Sequence, residues 1–208
     1  MAEATVFTIG VEATGTDGVC GVVIRVVVDP VARAVTHVVV EPKHALGLGR
    51  LVPLDLVDVT SGEVRLRCTT EEFETLDLAE EIRFLPGIGG TGYDEGDVLT
   101  WPYYGLGMEI GPRSVIHDKL PLGEVAVRRG DHVHASDGDI GRVQGLVIDP
   151  GDHHVTHVLL QEGHLWGRKE VAIPISAVTG ISQDGIRLNL TKQEVQHLPA
   201  VDIDHPTV

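Results

Sequence analysis

Short runs of apolar side chains, most of them valine, dominate the sequence and set its predicted secondary structure. They lie between glycine, aspartate and proline, for example at Val22–Val28 and Val35–Val40. β-Branched residues flanked by such turn formers are typical of strands joined by hairpins. Arg142–Ile148 and Val155–Leu160 have the same character later in the chain. The pattern therefore predicts an all-β protein.

The apolar runs belong to an internal repeat, in which residues 17–38 recur as residues 137–158 without a gap. The shared features are an Asp-Gly-x-x-Gly turn, an apolar run, an Asp-Pro pair and the tetrapeptide Val-Thr-His-Val. They begin at Asp17, Asp29 and Val35 in one copy, and at Asp137, Asp149 and Val155 in the other. A repeat of this length indicates one folding unit that is used twice.

Each copy ends in the pattern Thr-x-x-Glu, which starts at Thr69 and again at Thr191. Threonine followed three residues later by glutamate is the capping-box signature of a helix N-terminus. Apolar residues follow in both copies, so we expect a short helix that plugs one end of a sheet. Several short strands and a plug helix favour a small closed barrel. The predicted fold is two such barrels in tandem.

These features divide the chain into copy 1 (residues 1–76), a connector (77–119) and copy 2 (120–208). Units of this size bury a modest fraction of their surface. We therefore expect the copies to pack on each other or on a second chain, which leaves a homodimer possible.

The composition narrows the classes of function. The net charge is −15, spread evenly over the copies and the connector, and such a field repels phosphate backbones. Direct nucleic-acid binding is therefore not expected. No apolar stretch is long enough to span a bilayer, so we expect no membrane insertion and a cytoplasmic location. Cys20 and Cys68 align with Ile140 and Leu190, which favours buried free thiols over a disulfide.

The connector is rich in glycine and holds five of the eight aromatic residues of the chain. Its glycine run, residues 87–92, lacks the flanking strand and helix of a phosphate-binding loop. Trp101, Tyr103 and Tyr104 either pack between the barrels or form an exposed anchor for another protein, since Trp and Tyr often carry binding energy. These three are the candidate partner-binding residues.

Eleven histidines raise the possibility of a metal site, and His153, His154 and His157 form the densest group. Only His157 has a counterpart in copy 1, which is His37. A histidine shared by both copies beside a threonine favours a hydrogen-bonded structural role, so we predict no metal site and keep these three as weak candidates. No serine lies in a nucleophile elbow, and the aspartates lie in turns. We predict no catalytic residues, no enzyme activity and no cofactor.

The ordered set of features, occurring twice, resembles the PRC-barrel domain. This domain is known from the photosynthetic reaction-centre H subunit and from the 16S rRNA maturation factor. The resemblance implies a compact β-barrel that docks proteins and has no shared catalytic residues. It suggests a protein-docking adaptor with an unidentified protein partner. A ribosome-associated small-subunit maturation factor and a histidine-based metal-binding protein are the alternatives.

Overall fold

Strands account for almost all of the regular structure in the computed structural model, which describes residues 5–43, 48–60, 63–85, 113–162 and 170–199. The strands, in chain order, are β1 (Thr5–Thr8), β2 (Glu12–Thr14), β3 (Val19–Asp29), β4 (Ala34–Pro42), β5 (Arg50–Pro53), β6 (Val57–Thr60), β7 (Glu63–Leu66), β8 (Glu80–Leu85), β9 (Arg113–Asp118), β10 (Val125–Arg128), β11 (His132–Ala135), β12 (Gly138–Ile148), β13 (Val155–Glu162), β14 (Glu170–Pro174), β15 (Val178–Ser182) and β16 (Gly185–Leu188). In the described part of the chain the α-helices are α1 (Thr70–Thr75) and α2 (Lys192–Gln196), and 3-10 turns follow Pro53 and Pro174. Neither α-helix is long and apolar enough to cross a membrane, and the same holds for every helix among the described residues.

The two copies of the repeat form two sheets with the same strand order. The first sheet runs β5-β4-β3-β2-β7-β6, and the second runs β14-β13-β12-β11-β16-β15. In both sheets the pairing is antiparallel, except that β2 pairs parallel with β7 and β11 pairs parallel with β16. The prediction of an all-β protein with two similar β-units is thus confirmed.

Each sheet also takes one strand from the other copy. β1 comes from copy 1 but pairs with β12, where Thr5 lies opposite Ile148. β10 comes from copy 2 but pairs with β3, where Val125 lies opposite Val28. The two ladders are related by an offset of 120 residues, so the exchange is reciprocal.

The chain passes from one sheet to the other at a pair of equivalent glycines. Gly10 donates its amide to the carbonyl of Val23 (2.8 Å), and Gly130 donates its amide to the carbonyl of Val143 (2.8 Å). Their φ angles are +106° and +92°, a conformation that glycine adopts without steric cost. The crossing therefore takes place where the sequence permits a left-handed residue.

A second contact between the copies joins the β3–β4 and β12–β13 hairpins. Ala34 and His154 form an isolated antiparallel bridge. The amide of Val35 donates to the carbonyl of His153 (3.0 Å), and the amide of Val155 donates to the carbonyl of Arg33 (2.9 Å). The Arg33 guanidinium adds bonds to the carbonyls of Ile175 and Val178 at 3.3 and 3.4 Å.

Most of the buried residues of the two sheets form one continuous hydrophobic cluster, to which alternate residues of the long strands contribute, such as Val26, Val38, Leu146 and Val158. Smaller clusters lie around Val147 and Val27. Phe73 of α1 and Val195 of α2 are each only 1% exposed within the continuous cluster. The helices thus bury their apolar residues in the core, as expected. Cys20 and Cys68 are free and buried, and burial raises the pKa of both thiols.

Both helices begin in the capping box that the sequence predicts. Thr69 accepts a hydrogen bond from the amide of Glu72 while the Glu72 carboxylate accepts from the amide of Thr69, and Thr191 and Glu194 repeat the arrangement. The turn aspartates add a contact that the sequence did not reveal. Asp17 accepts from the amide of Thr70 (2.8 Å), and Asp137 accepts from the amide of Lys192 (2.9 Å).

Residues 80–119 form a second compact unit, separate from the one that contains residues 1–79 and 120–208. In it β8 and β9 pair antiparallel, with Glu80 opposite Asp118 and Leu85 opposite Arg113. The sequence pattern of the connector did not indicate this two-stranded ladder. Trp101, Tyr103 and Tyr104 lie outside the described residues.

Candidate functional site

The Val-Thr-His-Val tetrapeptides place a threonine and a histidine on β4 and again on β13. The Nδ1 atom of His37 lies 3.0 Å from the hydroxyl of Thr36, and that of His157 lies 3.1 Å from the hydroxyl of Thr156. Thr156 donates its hydroxyl proton to the carbonyl of Val147 (3.1 Å), so the ring nitrogen of His157 acts as the donor to Thr156. Burial lowers the pKa of His157. These contacts agree with the predicted structural role.

The copy 1 pair differs because a carboxylate reaches it from copy 2. Glu124, directly before β10, accepts a hydrogen bond from the hydroxyl of Thr36 (2.5 Å). The same carboxylate lies 3.6 Å from Nδ1 of His37. The Thr36 hydroxyl donates its proton to this carboxylate, so the contact ties the two copies together.

The three weak metal candidates do not converge. His153 lies in the hairpin turn with φ of +60°, and its amide and carbonyl are used by the backbone. Nδ1 of His154 lies 3.2 Å from the carboxylate of Asp152, whereas Nδ1 of His157 contacts Thr156. No group of three or more His, Cys, Asp or Glu side chains is placed to hold a metal ion within the described ranges.

The structure brings together a different pair of histidines on β11. The rings of His132 and His134 stack with centroids 5.8 Å apart and an interplanar angle of 8°. Nδ1 of His132 lies 2.7 Å from a carboxylate oxygen of Asp139. The sequence signal was the spacing His132-x-His134, because residues two apart on a strand share a face.

Two aliphatic side chains are almost fully exposed at one end of the first sheet. Val31 is 91% exposed in the β3–β4 turn, and Leu122 is fully exposed just before β10. The β3–β10 ladder ends at the pair Val28–Val125. Val31 follows β3 and Leu122 precedes β10, each three residues in sequence beyond that pair and at the same end of the ladder. We call Val31 and Leu122 the aliphatic tip.

The aliphatic tip is found at the first sheet, which takes Leu122 and β10 from copy 2. The residue aligned with Val31 in copy 2 is Gly151, which has no side chain. Single exposed aliphatic residues are common on protein surfaces. The tip stands out because both residues are at the same end of one ladder and both are almost completely solvated. Such residues can bind an apolar surface of a partner.

The second sheet and its helix carry the sequence likeness to a known family. Residues 130–195 match the PRC-barrel domain. The matched PRC-barrel segment begins at Gly130, where the chain enters the second sheet, and it extends through β11–β16 into α2. It leaves out β10, which belongs to the first sheet. Among the curated proteins, none matches this chain.

Proposed function

We propose that the protein is a non-enzymatic adaptor that docks another protein, with copy 1 (1–76) and copy 2 (120–208) as its docking units and residues 77–119 as the connector. The main support is the aliphatic tip, where Val31 and Leu122 are both exposed at the same end of the β3–β10 ladder. The PRC-barrel match of residues 130–195 adds to it.

The aliphatic tip favours docking on energetic grounds. Burying a valine or leucine side chain stabilises a complex by about 1.5–3 kcal/mol for each residue. Backbone hydrogen bonds order the turns that carry these side chains, and at Leu122 the Glu124 amide donates to the Pro121 carbonyl (3.1 Å). Val31 and Ala32 donate their amides to the carboxylate of Asp29 at 2.8 and 3.0 Å. Little conformational entropy is lost when a pre-ordered turn binds.

In this proposal Trp101, Tyr103 and Tyr104 supply additional anchors from the connector. Aromatic residues are enriched among the residues that dominate binding energy. The net charge of −15 favours a partner with a basic surface, because complementary charges speed association. The proposal includes neither direct nucleic-acid binding nor insertion into a membrane.

Co-purification from native cells, followed by mass spectrometry, identifies the partner, and binding is then measured with both purified proteins. We expect the double variant Val31→Ser, Leu122→Ser to weaken binding at least about tenfold, which corresponds to 1.4 kcal/mol. The combined change Trp101→Ala, Tyr104→Ala should weaken it as well. The matched control is Val19→Ser, which alters a moderately exposed valine away from the tip.

The outcomes separate the proposal from the alternatives. Unchanged affinity of both sets of variants, with native unfolding profiles, would remove the docking assignment. A basic ribosomal protein as the purified partner would favour the small-subunit maturation factor. Turnover of a small molecule by the purified chain would contradict the non-enzymatic part.

A further inference from the structure

We propose that His132 and His134 chelate one divalent copper or nickel ion on the outer surface of the second sheet. The two residues alternate on β11 with the buried Val133 between them, so their rings emerge on one side. The rings are already nearly parallel, with centroids 5.8 Å apart. In this proposal both rings turn about their side-chain bonds until their Nε2 atoms face one ion.

Asp139 orients the first of these ligands. The pairing of β11 with β12 shifts between Val133 and His134, so that Asp139 lies opposite His134 while its carboxylate reaches Nδ1 of His132 (2.7 Å). Because the carboxylate accepts the Nδ1 proton, Nε2 of His132 carries the lone pair that binds a metal. Metal-bound histidines commonly have such a carboxylate on the other nitrogen.

The electrostatics of Asp139 agree with this role. Partial burial alone would raise its pKa, but the hydrogen bonds from His132 and from the Gly141 amide (3.2 Å) outweigh that effect. The pKa of Asp139 therefore lies below its ordinary value, and the side chain remains ionised at neutral pH. The hydrogen bond from Nδ1 of His132 to the Asp139 carboxylate fixes the orientation of this ring.

The number and type of ligands select the ion. The described residues offer no third His, Cys, Asp or Glu ligand in a common group, so water would complete the coordination. Structural zinc sites require four protein ligands, whereas copper and nickel accept tetragonal sites of nitrogen and oxygen. The net charge of −15 attracts cations. The exposed Arg187 beside His134 opposes them, but its charge is screened by solvent.

Copy 1 provides an internal comparison. The residues aligned with His132, His134 and Asp139 are Glu12, Thr14 and Val19. Glu12 instead forms an ion pair with Lys43 (2.9 Å). The first sheet has no imidazole at this place, so we expect a single tight ion for each chain.

The test uses the full-length protein without an affinity tag, titrated with Cu(II) in the presence of glycine as a competing chelator. We expect one tight equivalent. The changes His132→Gln and His134→Gln should each abolish it, while Asp139→Asn should weaken it about tenfold or more. The matched controls His153→Gln and His154→Gln alter the densest histidine group and should retain it.

Nitrogen hyperfine structure in the electron paramagnetic resonance spectrum gives a second readout. Two coordinated imidazoles are expected in the wild-type protein and one or none in each ligand variant. Unfolding midpoints check that the variants remain folded. The proposal is overturned if the wild-type protein has no tight equivalent, if the double variant His132→Gln, His134→Gln keeps it, or if the controls lose it.

Discussion

Ala34 and His154 form a lone antiparallel bridge between two hairpins that are equivalent in the repeat. Around this bridge, Val35 donates to His153 and Val155 donates to Arg33. Replacing each residue by its equivalent in the other copy converts one of these two bonds into the other. The two halves of the chain therefore meet as the subunits of a two-fold dimer do, with one surface used on both sides.

The bonds around the Ala34–His154 bridge and the exchanged strands predict that the two halves remain associated after the connector is cut. A protease site inserted at residues 90–91 should yield two fragments that elute as one species under native conditions and separate in urea. The reason is that β1 and β10 each pair with a strand of the other copy. Size-exclusion chromatography with mass detection measures the result.

The β8–β9 ladder also links the two fragments and needs its own control. A two-stranded ribbon is marginal by itself, and proline within it removes ladder bonds. We therefore expect the cleaved variant Val115→Pro to remain associated. Separation of its fragments in native buffer at micromolar concentration would contradict the strand exchange.

The crossover glycines should tolerate alanine poorly. A Cβ atom at Gly130 would meet nothing within 4 Å, so the cost of Gly130→Ala comes from its φ of +92° and amounts to about 1–2 kcal/mol. Gly10→Ala should cost at least as much. Gly180→Ala is the matched control, because Gly180 has open space and no positive φ, and it should be neutral or stabilising.

Urea unfolding of the three glycine variants gives the free energies. Equal free energies of unfolding for Gly130→Ala and Gly180→Ala would show that the crossover does not require a left-handed residue.

The turn aspartates should contribute to stability through the helix N-termini. Asp137→Ala removes the acceptor for the Lys192 amide and should cost about 1 kcal/mol. Asp17→Ala should cost somewhat more, because the Asp17 carboxylate also accepts the Thr70 hydroxyl proton (3.0 Å). Asn at either position keeps one acceptor oxygen and should cost less. Thermal unfolding ranks the four variants, and an Asn variant as unstable as its Ala counterpart would argue against the hydrogen bond.

The buried ring of His157 predicts a pH effect on stability. Its pKa is lowered in the folded state by burial, so the unfolded chain binds the proton first as the pH falls. The stability present above the unfolded pKa of about 6.5 is therefore lost as the pH falls through the folded value. The loss is about 1.4 kcal/mol for each pH unit between the two pKa values.

The measurement compares the unfolding free energy of the wild-type protein with that of His157→Gln between pH 7.5 and 5.5. As the pH falls, the unfolding free energy of the wild-type protein should decrease relative to that of the variant. Gln193→Ala, a non-titrating exposed change on α2, should give a constant difference. A constant difference for His157→Gln as well would mean that its ring titrates alike in both states.

The local patterns predicted much of the fold because they are properties of short segments. The capping boxes at Thr69 and Thr191 and the hairpins after Asp29 and Asp149 follow from nearby residues. The strand exchange does not, because β1 pairs with β12 of the other copy and the residues around β1 do not identify that distant partner. Arg33 also has a positive φ, which the sequence does not indicate because glycine is the usual residue at such a position.

The candidate sites were harder to predict from the sequence than the fold. The dense group at His153 drew attention because its members are close in the chain, yet Thr156 and Asp152 engage two of them separately. His132 and Asp139 are joined across a strand pair with a shifted register, which sequence spacing does not reveal. The exposure of Leu122 depends on where its neighbouring strand is placed.

The pairing of Thr5 with Ile148 also has a consequence for biosynthesis. At about 5–20 residues per second, the ribosome needs roughly 7–30 s to add the 143 residues that separate them. During that interval the first strand has no partner, and copy 1 lacks the strand that copy 2 must supply. Completion of both sheets therefore waits for the later part of translation, and until then the unpaired strand edge is open to association with other nascent chains.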